Sequence, residues 1–465
     1  MSKETQHQQK NNSQEQESMV RGLQNRHVQL IAIAGTIGTG LFLGAGSSIA
    51  LTGPSILLVY LITGIFMFFM MRAMGEMLYQ DPEQHTFINF ITRYLGKGWG
   101  YFAGWSYWIS LIFIGMAEIT AVGKYFQYWF PNVPSWMTQL GFLVVLSSVN
   151  LIAVRLFGEM EFWFAMIKVI TILALIATAA IMLLTGFQTS HGAVSFANIT
   201  QGFQFFPHGI TQFVLAFQMV FFAYQTIEFI GITTSETENP RKVLPKAIQE
   251  LPVRVIIFYL GALLAIMLIF PWRQIPGNQS PFVSVFQLAG LSWAAALINF
   301  VVLTAAASAL NSTLFSTGRN LYQLAHNSPN KVVRSLGLNR LSKTGVPARA
   351  IILSAVMIAL SALINVIPGV SNAFVLITAS SSGVYIAIYV LIMLAHLKYR
   401  KSKDFMSDGY VMPAYRFLNI LTIAFMIFVY VVLFMQQDTI MGAIGASIWI
   451  VLFGAYSLWK YRKVK

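Results

Sequence analysis

The chain has 465 residues, of which 56% are apolar, 14% are aromatic and only 10% are charged. A soluble domain has roughly 25% charged residues, so this composition excludes an ordinary soluble protein and indicates a polytopic membrane protein. The formal net charge is +14, and there are no cysteines, which excludes a disulfide framework and thiol chemistry.

Twelve apolar segments are long enough to be transmembrane helices, which need roughly 20 apolar residues each. The predicted spans are 28–50, 54–78, 99–128, 136–156, 160–186, 208–235, 251–271, 283–318, 347–367, 371–397, 416–435 and 440–459. Residues 1–20 are polar, so we expect a disordered tail there and no cleaved signal peptide. The predicted fold class is an all-α polytopic membrane protein.

The first span contains five glycines, namely Gly35, Gly38, Gly40, Gly44 and Gly46. Glycines this dense weaken a helix, and non-helical backbone at membrane depth is buried in protein or lines a cavity. One interpretation is a broken helix whose exposed amides hold a carboxylate, as in transporters. The other is close helix packing, because Gly40 and Gly44 fit the small-xxx-small pattern. The two interpretations are compatible.

Basic residues are concentrated in alternate connections between the spans. They precede span 1, lie between spans 2 and 3, 6 and 7, 8 and 9, and 10 and 11, and end the chain, whereas the opposite connections carry only Lys124 and Arg273. The positive-inside rule therefore predicts that both termini are cytoplasmic. Because the basic residues lie at the membrane boundary, they indicate contact with lipid headgroups and argue against nucleic acid as a partner.

Two ionisable residues fall inside predicted spans, where burial is costly and a functional role is the default hypothesis. Lys168 lies about 12 Å above the predicted inner start of span 5, at 1.5 Å per residue. This depth predicts a functional lysine that faces a cavity, the alternative being a side chain that snorkels to the headgroups. Glu118 in span 3 is interpreted either as a proton carrier or as a structural acid paired with Lys124 or a hydroxyl.

Span 6 contains a second irregular stretch, in which Tyr224, Gln225, Thr226 and Glu228 interrupt the apolar run. Such polar residues suit a discontinuous helix that lines a site, or they make hydrogen bonds between helices. Spans 1 and 6 are five apart, which is the spacing expected if spans 1–5 and 6–10 are inverted repeats. Two irregular helices in corresponding positions predict a binding site.

Other motifs are weak or negative. Glu159 and Glu161 open span 5, and we interpret them as helix caps or partners of Arg155. The chain has no Walker-type glycine loop, which argues against a nucleotide-driven pump, and its seven histidines show no metal-ligand spacing. We therefore predict a protein that is not an enzyme and has no metal or organic cofactor.

Five long strings carry a family resemblance. They are NRHVQLIAIAGTIGTGLFLGAG, TGPSILLVYLITGIFMFFMMRAMGEM, FGEMEFWFAMIK, ETENPRKVLPKAI and FVVLTAAASALNSTLFSTGRNLYQLA. These strings resemble the bacterial amino acid permeases of the amino acid–polyamine–organocation superfamily, from about residue 20 to the last span. Within that family the chain is most similar to permeases for D-serine, D-alanine and glycine, and to serine and alanine permeases of Gram-positive bacteria. Aromatic amino acid permeases share GMAEITAVGKYFQYWFP almost as well.

The resemblance implies a leucine-transporter-type fold of two inverted five-helix repeats, with discontinuous helices 1 and 6 and two extra helices. It predicts a cytoplasmic tail over 1–20, a transport core over 21–400, and helices 11 and 12 with a basic cytoplasmic end over 401–465. The implied function is import of small neutral amino acids (serine, alanine, glycine and threonine) across the bacterial cell membrane. The proton is the implied coupling ion, and no obligatory protein partner is implied. The alternatives are a permease for aromatic or other neutral amino acids and a non-transporting membrane sensor.

The resemblance also implies a site. The predicted substrate-binding residues are Ile37, Gly38, Thr39, Gly40, Phe222, Ala223, Tyr224, Gln225 and Thr226. Backbone amides of the broken first helix are expected to hold the substrate carboxylate, and carbonyls near the two breaks are expected to hold its ammonium. A positive helix N-terminus and free carbonyls suit a zwitterion. Lys168 occupies the place of the helix 5 lysine of proton-coupled members, and Glu118 is the second coupling candidate.

The chain departs from the family pattern at the helix 6 break. Much of the family has one or two glycines where this chain has Gln225 and Thr226. The added side chains remove cavity volume and add hydrogen-bonding groups, and pocket shape with a few polar groups determines selectivity. This departure favours a small, polar substrate.

Overall fold

A computed structural model describes residues 37–84, 86–152, 154–189, 192–231, 239–326, 333, 335–364 and 372–462. The predicted tail over 1–20 and the beginning of the first span, including Gly35, lie outside the described residues. The side chains of residues 154–158, among them that of Arg155, also lie outside this description.

The regular secondary structure of the described residues is helical apart from one short hairpin. Its α-helices are α1 (Thr39–Phe42), α2 (Gly44–Thr52), α3 (Ile56–Gln80), α4 (Phe87–Leu95), α5 (Lys97–Phe126), α6 (Ser135–Ile152), α7 (Val154–Leu184), α8 (Ala197–Thr200), α9 (Ile210–Ala223), α10 (Pro240–Gln249), α11 (Leu251–Arg254), α12 (Ala262–Ile269), α13 (Pro281–Leu288), α14 (Ser292–His326), α15 (Ala348–Ala359), α16 (Ser361–Ile364), α17 (Ala373–Tyr399), α18 (Tyr415–Val432), α19 (Gln437–Ile448) and α20 (Gly454–Lys460). The shorter elements are the 3-10 turns Gly53–Ser55, Pro82–Gln84 and Trp272–Gln274 and the π-helical segments Val255–Gly261 and Trp449–Phe453. Strands β1 (Gln188–Thr189) and β2 (Gly192–Ala193) pair antiparallel, with Gln188 opposite Ala193.

Within the described residues, nine helical stretches are long and apolar enough to cross a membrane. They are Gly44–Gln80, Lys97–Phe126, Ser135–Ile152, Glu159–Leu184, Leu251–Ile269, Ser292–His326, Ala373–Tyr399, Tyr415–Val432 and Gln437–Lys460, and Ile210–Ala223 and Ala348–Ile364 are shorter apolar helices. These stretches make the chain a multi-pass membrane protein. The prediction of twelve spans in two inverted repeats stays a prediction.

The first predicted boundary between spans agrees with the backbone. Leu43 has helical backbone angles, so α1 and α2 form one nearly continuous run. Gly53 then has a φ of +56°, in the left-handed region that favours glycine, and the 3-10 turn Gly53–Ser55 leads into α3. The regular α-helical backbone is therefore interrupted at this point of the stretch Gly44–Gln80.

The predicted span 283–318 is wrong at its beginning. The structure has a separate helix, α13, followed by a turn in which Gly290 has a φ of +80°, and the long helix α14 begins only at Ser292. A left-handed glycine just after a helix is a common C-terminal stop. The apolar run over 283–318 therefore includes two helices, which hydrophobicity alone does not separate.

The core is centred on α5, which packs against both α14 and α17. Helices α5 and α17 are the most deeply buried of the long helices, whereas α6, α7, α18 and the stretch Gln437–Lys460 are more exposed. The exposed faces of these outer helices carry large apolar side chains, such as those of Val144, Trp163, Ile181 and Phe417. Such extensive exposed apolar surface indicates contact with lipid.

Candidate functional site

The first irregular backbone lies at the start of α1. Gly38 has extended backbone angles, and α1 begins at Thr39. The first N–H groups of a helix have no partner within the helix. The N–H of Thr39 donates to Oε1 of Glu118 at 3.4 Å. Because the residues before Ile37 lie outside the described chain, the inner half of the predicted broken helix stays a prediction.

The second irregular backbone follows α9. This helix ends at Ala223, and residues 224–228 form turns, which confirms the predicted discontinuity in span 6. Thr226 has a φ of +66°, a conformation that is rare for a β-branched residue. The hydroxyl of Tyr259 donates to the carbonyl of Ala223 at 3.1 Å. A carbonyl oxygen has two lone pairs, so that of Ala223 retains one for a further donor.

The two irregular segments contact each other through backbone atoms. A Cβ atom at Gly40 would lie 2.5 Å from Cα of Ala223, and one at Gly44 would lie 2.6 Å from the sulfur of Met219. Real Cβ atoms do not approach this closely, so any larger residue at Gly40 would push α1 away from the end of α9. The close packing predicted for Gly40 and Gly44 is therefore confirmed, whereas the broken helix that holds a carboxylate stays a prediction.

A narrow cavity with a volume of about 30 Å³ lies between the start of α1 and the end of α9. Its lining residues are Gly38, Gly40, Ile114, Glu118, Glu161, Lys168, Phe222, Ala223, Gln225, Thr226, Phe229, Ala309, Ser312 and Thr313. We call it the central cavity. The structure thus brings together both predicted coupling residues and six of the nine predicted substrate-binding residues. Ile37, Thr39 and Tyr224 are buried but do not line it.

Three buried ionisable residues line one side of the central cavity. Lys168 is 1% exposed, and its ammonium interacts electrostatically with the carboxylates of Glu161 and Glu118. Glu161 accepts a hydrogen bond from the Ser308 hydroxyl at 2.8 Å. Buried charges persist in proteins where opposite charges and hydrogen bonds compensate for lost hydration. Lys168 therefore faces the cavity, and the alternative of a snorkelling side chain is wrong.

The interpretation of Glu161 as a terminal residue of span 5 is wrong. Helix α7 begins at Val154, so Glu161 lies two turns inside it, where it is 1% exposed. Glu161 and Lys168 are seven residues apart and share one helix face. That spacing is the signal in the sequence that could have placed Glu161 at the site. Glu118 likewise contacts Thr39, through the backbone N–H, rather than the predicted Lys124.

The polar side chains at the break in predicted span 6, which follows α9, point in different directions. Gln225 accepts a hydrogen bond from Ser381 at 2.7 Å and donates one to Ser382 at 2.9 Å, which ties the break to α17. The Tyr224 ring instead stacks on Tyr259 with 4.9 Å between centroids, and its hydroxyl donates to the carbonyl of Tyr60. Gln225 therefore borders the central cavity, whereas the side chain of Tyr224 lies outside it.

Glu228 follows the break and is fully buried. Its carboxylate accepts hydrogen bonds from the hydroxyls of Tyr107 at 3.1 Å, Tyr385 at 3.2 Å and Tyr389 at 2.7 Å. These tyrosines come from α5 and α17. The carboxylate thus holds the irregular segment against both core helices.

Six cavity residues were absent from the prediction, namely Ile114, Glu161, Phe229, Ala309, Ser312 and Thr313. Ile114, Phe229 and Ala309 are apolar residues in apolar helices, and nothing in their sequence context distinguishes them from core residues. Ser312 and Thr313 are adjacent hydroxyl residues in α14, which is a weak signal. Only the packing of α14 against α5 and α7 brings them to the cavity.

Long apolar helices that enclose a buried polar cavity between irregular helix ends are the features of a membrane transporter. The sequence profile described as "Amino acid permease" matches residues 27–460. The chain therefore belongs to the amino acid permease family.

Three relatives show how far the similarity extends. The DL-alanine permease SerP2 of Lactococcus lactis is 50% identical over 451 residues, covering 97% of each chain. The serine permease SerP1 of the same species is 49% identical over 449 residues, covering 95% of this chain and 97% of its own. The D-serine/D-alanine/glycine transporter of Escherichia coli is 41% identical over 443 residues, covering 94% of this chain and 93% of its own.

Two serines one turn apart on α14 allow a test of the buried charges. Ser308→Ala removes the hydrogen bond to Glu161, and we expect it to lower the free energy of unfolding by about 1.5–3 kcal/mol, the usual range for bonds to charged groups. The measurement is thermal unfolding of the purified protein in detergent. Ser312→Ala is the matched control, because the Ser312 hydroxyl has no hydrogen-bond partner among the described residues. Equal melting temperatures for the two variants would contradict the prediction.

Proposed function

We propose that the protein is a secondary active transporter that imports small neutral amino acids, such as serine, alanine, glycine and threonine, together with protons. It acts in the bacterial cell membrane with both termini in the cytoplasm. The similarity to permeases whose names specify serine, alanine and glycine supports this substrate class. The basic loops on one side of the predicted spans support the orientation.

The observation that carries the proposal is the cavity between the start of α1 and the end of α9. The nearly continuous helical run that begins at Thr39 directs its first N–H groups toward this region, and these groups suit a carboxylate. The carbonyls at the end of α9 suit an ammonium group. We infer that the amides of Gly38 and Gly40 bind the substrate carboxylate, and that the amide of Thr39 joins them when it releases Glu118. The carbonyls of Ile37, Phe222, Ala223 and Gln225 then bind its ammonium.

The walls of the cavity support a small substrate. Phe222, Gln225, Thr226 and Phe229 all reach it from the region of the helix 6 break, and each occupies volume. Gln225 is held by two hydrogen bonds to α17, so it cannot move aside without breaking them. A substrate with a short side chain needs no such movement. A hydroxyl on that side chain would find Ser312 and Thr313, which also line the cavity.

Lys168 is the group we propose for proton coupling. Its ammonium lies beside the cavity, together with the carboxylates of Glu118 and Glu161. Loss of a proton from this group of three changes its net charge by one unit where the dielectric constant is low. Such a change alters the electrostatic energy of nearby helix ends and of a bound zwitterion. Glu118 links the charge to the substrate site through the N–H of Thr39.

Uptake of labelled L-serine into proteoliposomes tests the proposal. We expect an inward proton gradient to drive accumulation above the external concentration, and we expect only equilibration without a gradient. A competition panel with both enantiomers of serine and alanine, and with phenylalanine, defines the substrate. No uptake of any amino acid would favour a sensor, and dominant competition by phenylalanine would favour an aromatic permease. Uptake that ignores the gradient would remove the proton from the proposal.

Replacement of the buried lysine separates coupling from binding. We expect Lys168→Ala to abolish gradient-driven accumulation and to retain exchange of labelled for unlabelled serine, because the cavity remains but the titrating charge is lost. The measurement is accumulation and exchange in the same proteoliposomes. Lys343→Ala, which changes an exposed loop lysine, is the control and should behave like the wild type. Unchanged accumulation by Lys168→Ala would assign the lysine a structural role only.

The left-handed residue at the break gives a second prediction. We expect Thr226→Gly to raise the free energy of unfolding by about 1–2 kcal/mol, because glycine adopts a φ of +66° without steric cost. The variant should also admit larger amino acids, since the side chain that lines the cavity is removed. Melting temperature and the competition panel measure the two effects. Thr226→Ala retains the Cβ atom, so it should broaden competition without the gain in stability. Identical competition profiles would reject the volume argument.

A further inference from the structure

A second polar pocket, with a volume of about 340 Å³, lies at the end of α5. Its lining residues are Leu43, Lys124, Tyr125, Gln127, Tyr128, Asn278, Gln279, Ser280, Val283, Ser284, Gln287 and Asn299. We call it the Lys124 pocket. Amide and hydroxyl side chains form most of its wall. Among the described residues that line it, Lys124 is the one charged group.

Lys124 is an exception to the charge distribution of the chain. The connections on its side of the predicted spans carry only one other basic residue, Arg273. The guanidinium of Arg273 donates hydrogen bonds to the carbonyls of Gln201 at 3.2 Å and Gly202 at 2.8 Å, and it lies over the Trp272 ring. Arg273 therefore has a structural role. Lys124 is exposed, and none of the ion pairs among the described residues includes it.

Two hydroxyl groups add to the site. The side chains of Tyr125 and Ser280 are 3% and 4% exposed, and within the described chain neither hydroxyl has a hydrogen-bond partner. A buried hydroxyl without a partner costs free energy unless a ligand or water pairs with it. Both residues line the same pocket as Lys124. An ammonium group and hydroxyl donors together are the usual partners of a carboxylate.

The Lys124 pocket lies in line with the central cavity. Helix α5 contributes Glu118 to the central cavity and Lys124 to the pocket, about 9 Å further along its axis. The helical run that begins with α1 contributes Gly40 to the central cavity and Leu43 to the pocket. Helix α14 also lines both spaces. The pocket therefore lies on the path from the central cavity to the membrane face opposite the basic loops.

Two aromatic side chains connect the two spaces. Phe222 lines the central cavity, and its ring lies 6.0 Å from that of Phe374 in an edge contact. The Phe374 ring in turn lies 6.0 Å from Nζ of Lys124. Phe374 therefore contacts both Lys124 and a residue of the central cavity.

We propose that the Lys124 pocket is a loading site, which binds the carboxylate of an amino acid before the substrate enters the central cavity. The proposal rests on the function and orientation proposed above. A single cation in a polar pocket raises the local concentration of an anionic group and steers it inward. The ammonium of Lys124 attracts the substrate carboxylate and repels the cationic amino group of the substrate. The substrate therefore binds with its carboxylate toward Lys124.

The test compares Lys124→Met with Lys124→Arg in initial-rate uptake of labelled L-serine by proteoliposomes at low ionic strength. Met keeps the apolar stem and removes the charge, whereas Arg keeps the charge. We expect Lys124→Met to raise KM about fivefold, the size of an exposed ion pair, with kcat within about twofold of wild type. Lys124→Arg should retain most of the wild-type KM. The difference between the variants should shrink as salt screens the charge.

Each outcome has one meaning. Absence of uptake by the wild type would overturn the proposed function and the loading site together. Wild-type uptake with an unchanged KM in Lys124→Met would overturn the loading site alone, and so would an equal rise in both variants. If Lys124→Met does not fold, Tyr125→Phe and the salt dependence of the wild-type KM replace it. We then expect a higher KM for Tyr125→Phe and a wild-type KM that rises with salt, and no change in either would overturn the loading site.

Discussion

Gly40 and Ala223 bring two irregular chain segments into backbone contact inside the bundle. In a membrane, backbone N–H and C=O groups without helical partners are costly unless protein or a polar cavity satisfies them. The contact places the start of one helical run next to the end of another, so the polar groups of both ends face one small space. The absence of a side chain at Gly40 is what permits this approach. The cavity and its lining residues follow from that geometry.

Buried charges hold the same region from two sides. Lys168, Glu161 and Glu118 lie on one side of the cavity, and the Ser308 hydroxyl fixes Glu161. Outside the cavity lining, the carboxylate of Glu228 accepts hydrogen bonds from three tyrosines of α5 and α17. The irregular segment between them is therefore anchored to the core helices by polar contacts. Its own helical hydrogen bonds contribute little, because residues 224–228 form turns.

The break after α9 affects both the shape of the central cavity and the stability of the fold. Thr226 occupies a left-handed conformation that glycine would adopt more easily. Its side chain and that of Gln225 border the cavity, and Gln225 is tied to Ser381 and Ser382. The strain at Thr226 thus accompanies a narrower cavity with fixed polar groups. A restricted substrate range is the expected consequence.

Much of the architecture could be predicted from the sequence, because the informative features are local. These features are the apolar spans, the alternating basic loops, the glycine-rich stretch of span 1 and the polar stretch of span 6. They determined the class of membrane protein, the break in span 6 and the inward position of Lys168. The separation of α13 from α14 was missed, because an apolar run does not reveal a left-handed Gly290. Glu161, Ser312 and Thr313 reach the cavity only because α7 and α14 pack around it. The side chain of Tyr224 is turned toward Tyr259 for the same reason, since which face of an irregular segment meets the cavity depends on contacts with distant helices.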